Sequence, residues 1–420
     1  MAMRSRYAAV LGATLIAPAV LAQLPPGDGP VPVSATVLEP SPVPYGPTTA
    51  SRLKAPLGFT VSVFASGLKN VRWLVVAPNG DVYASRREQG DVLLLRDTNG
   101  DGRADHQRVV AQNINYAHGL ALKDGRLYIV SDKKVFSANV AADGSLDTPR
   151  QLVDDLPDAG QHPNRTIAAG PDGWMYVTVG STCNNCRETH PESATVLRMR
   201  PDGSAREVVA AGLRNTIGFD WHPVTGALYG FDHGSDFRGD DQPPEELNEI
   251  RPNTHYGWPW CFGERVPDRF QVNEPPNTTK GEFCPTTQAP ALAYTAHAAP
   301  IGFTFYRGTQ FPPEYRTSGF AAMRGSWNRA QPSGFKVVRV VFDAAGRPER
   351  IEDFVTGWLV PPNAALKDAG PRATDAERAE ASRPAQLGRL AGLAVAGDGS
   401  LLVAEDQNGV IYRVRYQAPR

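Results

Sequence analysis

The sequence predicts an all-β fold, namely a six-bladed β-propeller of four-stranded antiparallel blades. The main observation is a repeated pattern of a short apolar strand, a turn with Asp-Gly or Asn-Gly, and a second strand with an aromatic residue. Strong helical periodicity is almost absent. The 40 Gly and 37 Pro residues are spread along the 420-residue chain, as expected for many tight turns between short strands.

Six copies of the pattern can be recognised, and the early copies begin about 45 to 50 residues apart, the length of one four-stranded blade. Because one blade cannot bury both of its faces alone, the copies are expected to stack around a common axis. A β-sandwich, or a pair of sandwiches, is the alternative, and the blade-length spacing argues against it. The copies occupy residues 73–85, 119–131, 167–180, 217–232, 302–323 and 392–406.

The N-terminus has the features of a secretory signal peptide over residues 1–22. Arg4 and Arg6 precede an apolar stretch that ends in small residues before Gln23. A membrane anchor is the alternative, but the stretch is short for a span and contains Pro18. We therefore expect a cleaved signal, a periplasmic or secreted bacterial protein, and no stable membrane insertion.

The rest of the chain divides into two expected parts. Residues 23–54 are Pro-rich and polar, which predicts a linker or an arm laid over the domain surface, and residues 55–416 are expected to form the propeller. The 43 basic and 44 acidic residues give a net charge of −1, and neither half of the chain is strongly basic. Nucleic acid is therefore not an expected partner.

The four cysteines fit an oxidising compartment. Cys183 and Cys186 form one close pair and Cys261 and Cys284 another, so two local disulfides are the natural pairing. A zinc site at Cys183 and Cys186 is the alternative, although neither a second Cys-x-x-Cys nor a paired His motif accompanies it.

The propeller geometry itself indicates where to look for a site. Loops that lead into the innermost strands converge at one end of the axis, so polar residues just before those strands are candidates. His162 precedes the third such strand and suits a general base, because imidazole titrates near neutral pH. A histidine that caps its loop by hydrogen bonding is the simpler explanation.

Cationic and amide side chains recur at corresponding positions. Arg214 and Asn215 precede the fourth inner strand, where they could hold an anionic, carbonyl-rich ligand. Arg324 and Arg389 stand near the last two inner strands and would add positive charge at the same end. An anionic cofactor or substrate would balance these charges. Ordinary loop and surface residues are the alternative at each position.

An acidic loop, residues 236–248, contains Asp240, Asp241 and Glu246 among Pro and Gly residues. Clustered carboxylates and exposed carbonyls suit Ca²⁺, which takes six to eight oxygen ligands. A solvated acidic turn is the alternative. The loop leads directly into the aromatic segment 255–260, which favours an ordered loop.

Together these motifs resemble those of the soluble pyrroloquinoline-quinone-dependent sugar dehydrogenases, in particular the sorbosone dehydrogenase-like branch. The resemblance extends over about residues 55–416. Its specific elements are His162 ahead of a Gly-Pro-Asp-Gly turn and the segments 180–186, 212–215, 239–248, 256–259 and 325–329.

The resemblance implies a quinone that lies over the propeller axis and an enzyme that oxidises a sugar or a related alcohol or aldehyde. His162 matches the family's catalytic base, which takes the substrate's hydroxyl proton while hydride moves to the quinone. Arg214 and Asn215 match quinone contacts, and Arg214 is suited to polarise the C5 carbonyl of the quinone. Arg324 matches a cationic quinone contact, and Arg389 matches an arginine that holds the quinone's carboxylates.

The resemblance also implies bound Ca²⁺. Asp240 and Asp241 are the nearest matches to the ligands of an ion that bridges the quinone and the acidic loop. Glu246 and the carbonyl of Tyr256 match a second, structural ion.

The sequence departs from the glucose-oxidising branch beside the base. Gln161 stands where that branch has Asp and is expected to contact the cofactor, and residues 116–118 occupy the region of that branch's Gln. The group that orients His162 is therefore left open, and glucose is not assumed as the substrate.

Two other functions stay open, a Ca²⁺-dependent lactonase on a similar propeller and a non-enzymatic sugar-binding propeller. The arginines disfavour the lactonase. No Cys-x-x-Cys-His haem motif is present, so electrons are expected to leave to a separate acceptor of the cytochrome c or quinone type.

Overall fold

The computed structural model describes residues 35–158, 160–362, 374 and 383–418. The predicted signal peptide and the first part of the predicted arm lie outside these residues. Regular structure in the described residues is almost entirely β. The exceptions are a four-residue helix, α1 (Lys280–Phe283), and three 3-10 turns at Ala50–Arg52, Cys284–Thr286 and Pro313–Tyr315.

Six sheets of four antiparallel strands dominate the described residues, and one of them gains a short parallel fifth strand. Two strands come first, β1 (Ser41–Pro42) and β2 (Phe59–Ala65). Sheet 1 contains β3 (Val71–Val76), β4 (Val82–Arg86), β5 (Asp91–Arg96) and β6 (His106–Ala111). Sheet 2 contains β7 (Leu120–Lys123), β8 (Arg126–Val130), β9 (Val135–Asn139) and β10 (Arg150–Val153). Sheet 3 contains β11 (Ile167–Ala169), β12 (Met175–Val179), β13 (Thr195–Met199) and β14 (Glu207–Ala211).

The second half of the chain repeats this order with two insertions. Sheet 4 contains β15 (Phe219–Trp221), β16 (Leu228–Asp232), β17 (Glu245–Glu249) and β21 (Leu292–Tyr294). The insertion before β21 contains β18 (Thr254–His255), which joins sheet 3, and the pair β19 (Cys261–Phe262) and β20 (Val266–Pro267). Sheet 5 contains β22 (Pro300–Phe305), β23 (Gly319–Met323), β24 (Lys336–Phe342) and β25 (Pro348–Val355). The short strands β26 (Leu359–Val360) and β27 (Ala385–Gln386) precede β28 (Leu390–Val395), β29 (Leu401–Glu405) and β30 (Val410–Tyr416).

Sheet 6 is built from both ends of the described chain. Its order is β28, β29, β30 and then β2, with Phe59 opposite Tyr416 and Ala65 opposite Ile411. The repeat pattern could not locate this pairing, because β2 lies before the first recognisable copy.

The described part of the predicted arm lies against sheets 5 and 6. β1 pairs in parallel with β27, and the backbone N–H of Leu38 donates to the carbonyl of Trp327 over 2.9 Å. Lys54 exchanges backbone hydrogen bonds with Thr356.

The turns differ from one sheet to the next. Asp124 and Gly125 both have positive φ, 48° and 72°, and form the two-residue turn that an Asp-Gly hairpin predicts. At Asn79-Gly80 the loop is longer. The N–H of Gly80 donates to the Ala77 carbonyl, and the N–H of Ala77 donates to the Asp81 carbonyl. Only Gly80 then needs positive φ. The Gly residue therefore indicated where the chain turns, and the local hydrogen bonds determined the length of the loop.

The first strands of neighbouring sheets approach so closely that glycine is required between them. A Cβ on Gly218 would lie 2.4 Å from the backbone N of Phe303. A Cβ on Gly302 would lie 2.5 Å from the carbonyl of Ala391, and one on Gly392 would lie 2.6 Å from that of Arg72. β28 contacts β3, so the first strands of sheets 6 and 1 are also neighbours.

Apolar side chains fill the space between facing sheets. Phe231 of sheet 4 and Phe303 and Phe305 of sheet 5 pack together, with the rings of Phe231 and Phe303 5.9 Å apart. Burial of these rings is the main stabilising contribution at the interface of sheets 4 and 5. No helix in the described part of the chain is long and apolar enough to span a membrane.

Candidate active site

His162 is oriented by Ser181, which follows β12. Its Nδ1 lies 2.8 Å from the Ser181 carbonyl oxygen and 2.9 Å from the Ser181 Oγ. A carbonyl can only accept, so Nδ1 holds the ring proton and the lone pair of the neutral ring is on Nε2. Ser181 is thus the orienting group that the sequence left open, and no described residue hydrogen-bonds to Nε2.

The surroundings of His162 keep the ring neutral. Burial lowers its pKa well below 6.5, and the nearby positive charge of Arg214 lowers it further. A neutral imidazole with one free lone pair can accept a proton from a bound hydroxyl group.

Arg214 is buried and held by the loop that contains the first cysteine pair. Its Nε donates to the Asn184 carbonyl over 2.8 Å, and its Nη2 donates to the Asn184 Oδ1 over 2.9 Å. The same Nη2 forms a salt bridge of 3.0 Å with Asp236. No hydrogen bond from Nη1 to a described residue is present, so this end of the guanidinium can serve a ligand.

Asn215 is placed by Asp232 at the end of β16. Asp232 accepts the backbone N–H groups of Arg214 and Asn215 and the hydroxyl of Thr216, each over 2.8 Å. The Oδ1 of Asn215 is buried without a hydrogen-bond partner among the described residues. A Cβ on Gly180 would lie 2.8 Å from that Oδ1 and 2.7 Å from the Cβ of His162, so the amide and the imidazole flank one glycine.

Asp406 and three arginines, Arg72, Arg324 and Arg389, form a second group of charges. Asp406 forms salt bridges with Arg72 and, over 2.8 Å, with Arg324. Burial alone would raise the pKa of Asp406, but the two arginines outweigh it and hold the pKa below its ordinary value. Arg389 donates to the Gly325 carbonyl over 2.6 Å, and its Nε is buried without a partner among the described residues. Burial and the charge of Arg324 lower the pKa of Arg389 to about 10. Three cations outnumber the buried Asp406 and the exposed Glu39, whose charge acts on Arg389, and so favour an anionic ligand.

Further contacts link these two sides. Arg72 approaches the Nε2 of His118 to 3.4 Å, and the His118 Nδ1 donates to the Arg165 carbonyl over 2.9 Å. Arg165 in turn donates to the His162 carbonyl over 3.1 Å. On the other side Asn328, in the loop after Arg324, donates to Asp236 over 2.7 Å.

Together with the hydrogen bond from the Ser181 N–H to the Arg214 carbonyl and the chain segment 324–328, these contacts form one continuous series, which we call the polar ring. It brings together the predicted residues His162, Arg214, Asn215, Arg324 and Arg389. Its other members are Arg72, His118, Arg165, Ser181, Asp236, Asn328 and Asp406. Gln161 lies beside the ring with an exposed side chain, and its backbone N–H donates to the Thr182 carbonyl over 3.0 Å.

The two aspartates of the acidic loop have protein partners. The Oδ2 of Asp240 accepts the backbone N–H of Ala330 over 2.8 Å, and its carbonyl accepts from Arg329. Asp241 is largely exposed and forms a salt bridge of 2.8 Å with Arg329. The contacts join the acidic loop to the segment 325–329, and they do not gather the two carboxylates around a shared point.

Glu246 lies in a different, buried environment. Asp232 and Glu246 are opposite each other on β16 and β17, and both line a cavity of about 20 Å³ together with Tyr256. That volume suffices for about one water molecule or small ion. Burial raises the pKa of Asp232 to about 6, and burial together with the charge of Asp232 raises that of Glu246 to about 8.

Both disulfides predicted from the sequence are present, Cys183–Cys186 and Cys261–Cys284. In the described residues, one group of three potential His, Cys, Asp or Glu ligands lies within 4.8 Å, and it consists of Cys183, Cys186 and Glu188. Because its cysteines are bonded to each other, they are not thiolates, and the zinc alternative for this pair is wrong.

Sequence reasoning missed Arg72, Ser181 and Asp406. Arg72 stands at the start of the first inner strand, where polar residues are expected to be candidates. Ser181 and Asp406 follow the second strands of sheets 3 and 6. In an antiparallel pair, the end of the second strand lies beside the start of the first. The residues after every second strand were therefore candidates as well.

Comparison with known proteins agrees with this architecture. A family model described as TrAA12-like matches residues 53–417. The holo form of the PQQ domain of pyranose dehydrogenase from Coprinopsis cinerea is 20% identical, with a TM-score of 0.68 over 86% of this chain and 97% of that one. The calcium structure of a family AA12 carbohydrate-active enzyme from Trichoderma reesei is 19% identical, with a TM-score of 0.70 over 93% and 100%.

A third structure, the PQQ-bound form of aldose sugar dehydrogenase from Streptomyces coelicolor, is 18% identical, with a TM-score of 0.57 over 87% of this chain and 100% of that one. At these identities the similarity establishes the fold alone, which is the all-β propeller type of these enzymes.

Proposed function

The chain belongs to the TrAA12-like family, and we propose that it is a quinoprotein dehydrogenase that oxidises a sugar or a related alcohol or aldehyde with pyrroloquinoline quinone as cofactor. The main support is one geometric relationship within the polar ring. A neutral histidine, whose Nε2 has no hydrogen-bond partner among the described residues, and a group of guanidinium ions border the same end of the sheets.

The residues present fit this quinone, which is flat, carries three carboxylates and has adjacent carbonyls. Arg72, Arg324 and Arg389 exceed Asp406 and the exposed Glu39 by one positive charge, and the Nε of Arg389 is a buried donor without a protein acceptor among the described residues. Such donors favour bound carboxylates. We propose that Arg324 and Arg389 hold the carboxylates, that Arg214 and Asn215 contact the carbonyl side, and that Gln161 borders the cofactor.

We propose that the protein's own residues perform the proton chemistry. Nε2 of His162 accepts the proton of the substrate hydroxyl, while Ser181 keeps the ring oriented through Nδ1. The positive charge that forms on His162 is released again when the proton passes to solvent, because the nearby Arg214 disfavours a charged ring. The quinone, when bound, supplies the acceptor for the substrate's hydride.

Calcium is part of the proposal, and the structural observation that favours it concerns Glu246. Asp232 and Glu246 receive hydrogen bonds from neutral donors, including the N–H of Gly263 and the side chain of Asn248. Two facing buried carboxylates without a salt-bridge partner among the described residues are stabilised by a cation. Glu246 and the Tyr256 carbonyl would hold a structural Ca²⁺ there. Asp240 and Asp241 stay a prediction from the resemblance for a second ion, and their contacts with Ala330 and Arg329 do not support them as its ligands.

Several further features complete the proposal. The six sheets would be the blades of a closed propeller, which the contact of β28 with β3 and the mixed origin of sheet 6 support. The two disulfides support export to an oxidising compartment. We also propose an aldose or a sorbosone-type substrate and a separate electron acceptor of the cytochrome c or quinone type.

Reconstitution tests the proposed function. Purified protein, first treated with chelator, would be titrated with pyrroloquinoline quinone and Ca²⁺ while quinone absorbance is recorded. It would then be assayed with an artificial dye acceptor against aldoses, sorbosone and simple alcohols. We expect saturable quinone binding and dye reduction that needs both additions. Lactone hydrolysis without quinone, or no change in quinone absorbance, would refute the proposal.

A further inference from the structure

The loop closed by the Cys183–Cys186 disulfide touches both chemically important groups of the polar ring. On one side of the loop stands Ser181, whose carbonyl and Oγ receive the Nδ1 proton of His162. Ser181 is itself tied to the loop, since its hydroxyl donates to the Cys183 carbonyl over 2.7 Å. Its backbone N–H donates to the Arg214 carbonyl over 2.7 Å.

Within the loop, Asn184 holds Arg214 by two of its atoms. The Asn184 carbonyl accepts from Nε and the Asn184 Oδ1 accepts from Nη2, which fixes the plane of the guanidinium. Asn184 is fixed in turn by Asp236. The backbone N–H of Asp236 donates to the Asn184 Oδ1 over 2.7 Å, and the Asn184 side-chain amide donates to the Asp236 carbonyl over 3.1 Å.

The neighbouring Asn185 has most of its contacts in a different part of the protein, and its side-chain amide also donates to the Ser235 Oγ over 3.2 Å. Its side-chain amide donates to the Pro259 carbonyl over 3.2 Å and to Asp268 over 3.0 Å, and its Oδ1 accepts from Gln271. The two adjacent asparagines thus differ in their main partners. Asn184 hydrogen-bonds to residues of the polar ring, whereas Asn185 hydrogen-bonds mainly to the insertion between β17 and β21.

We infer that the disulfide-closed loop positions both His162 and Arg214, with Asn184 as the positioning residue for the guanidinium and Ser181 as that for the imidazole. This inference rests on the proposed function for its catalytic meaning. Its structural content does not, because every contact that it uses joins two protein groups.

The disulfide is the part of the loop that can maintain this arrangement. Four residues in a turn have considerable backbone freedom, and a covalent closure removes much of it. A displacement of about 1 Å at a reacting group is enough to reduce turnover by about 100-fold. The bond between Cys183 and Cys186 therefore serves the geometry of the site.

The test uses the protein without added quinone, so that it does not depend on activity. The titration of His162 would be followed by NMR of its ring Cε1 proton, assigned with a His162→Gln variant. In the variant pair Cys183→Ser/Cys186→Ser, and separately in Asn184→Ala, we expect the pKa of His162 to rise by about one pH unit, because Arg214 is no longer held beside it. Turnover of reconstituted protein should fall by about 10-fold to 100-fold.

Two matched controls separate positioning from a general loss of structure. Asn185→Ala alters the adjacent asparagine, and Cys261→Ser/Cys284→Ser removes the other disulfide. We expect the His162 titration to stay unchanged in both. An unchanged titration in folded Asn184→Ala, or an equal rise in the two controls, would overturn the inference. If the Cys183→Ser/Cys186→Ser variant does not fold, the comparison of Asn184→Ala with Asn185→Ala decides the question. Absence of any quinone-dependent activity would refute the proposed function only.

Discussion

The Nδ1 of His162 lies 2.8 Å from the carbonyl oxygen of Ser181, so the imidazole is a neutral base with its lone pair on Nε2. A backbone carbonyl cannot lose its acceptor character with pH. The orientation of the base is therefore independent of the titration of any carboxylate partner.

Replacement of the base is the first prediction. His162→Gln should lower kcat by about 10²-fold to 10⁴-fold, because general-base catalysis is lost while a similar volume is kept. Quinone affinity should change little, since the arginines are intact. The measurements are dye-linked kinetics and a quinone absorbance titration. His106→Gln, at an exposed position on β6, is the control and should behave as wild type. Equal loss in both variants would contradict a specific role.

The second prediction concerns acid pH. Because only the neutral ring can accept a proton, kcat/KM should fall as pH drops through the pKa of His162, which lies well below 6.5. The charged and titratable groups near the imidazole of His162 are Arg214, His233 and Arg165, which all lower the pKa of His162. In Arg214→Gln the acid limb of the remaining activity should move to higher pH, toward 6.5. A limb that stays in place, or moves to lower pH, would show that another group is titrating.

Quinone affinity should depend on the arginine group, which is the third prediction. Arg389→Gln and Arg324→Gln should each weaken quinone binding by about 10-fold to 100-fold, the effect of one lost hydrogen bond to a charged group. Binding should also weaken as salt concentration rises. Absorbance titration measures both effects. The control is Arg347→Gln, which removes one positive charge at a residue that lies far from the polar ring and whose side chain is 79% exposed. This variant should bind the quinone as tightly as wild type.

The fourth prediction follows from Asp232 and Glu246. Their pKa values are raised to about 6 and about 8, so without calcium the folded state is destabilised when these carboxyl groups ionise. Their contribution to stability is complete below about pH 4 and is lost as pH rises to about 8. Bound Ca²⁺ needs the ionised carboxylates and should reverse this loss. Chelator should therefore lower Tm by several degrees near pH 8 and have little effect near pH 5.

Variants on β17 test the assignment of that effect. Glu246→Gln should be insensitive to chelator and should lose less stability than wild type between about pH 6 and pH 8. Its own buried charge is gone, whereas Asp232 and Glu245 still ionise. Glu249→Gln alters the same strand at a residue that pairs with Arg251 and should keep the calcium response of the wild type. A calcium response that survives in Glu246→Gln would place the ion elsewhere.

The two disulfides should differ in their contribution to stability, which is the fifth prediction. A disulfide stabilises mainly by restricting the unfolded chain, and the restriction grows with the enclosed loop. Cys261–Cys284 spans 23 positions and Cys183–Cys186 only 3. Their removal should reduce the free energy of unfolding by about 3.5 and about 2 kcal/mol, respectively. Denaturant unfolding of the two Cys→Ser pairs gives the comparison, and a larger loss for the short loop would contradict it.

Local features of the chain were sufficient to predict the β architecture. Asp-Gly and Asn-Gly turns, alternating apolar residues and a spacing near one blade length each depend on neighbours in sequence, so they can be recognised without coordinates. The positions of His162, Arg214, Asn215 and Arg389 before inner strands follow from the same repeat. Close cysteine pairs likewise indicated the two disulfides.

The tertiary structure alone decided which groups pair across sheets. Asp406 meets Arg72 across 334 residues of sequence, and Asp236 meets Asn328 across 92. Ser181 orients His162 because the end of β12 lies beside the loop before β11. Arg329 from another sheet donates to the Asp240 carbonyl and forms a salt bridge with Asp241. Strand pattern depends on residues a few positions apart, whereas ion pairs and hydrogen bonds between sheets depend on how those sheets are arranged in space. The sequence therefore determined the repeated sheets and the candidate positions, and the packing of the sheets determined the partners of each charge.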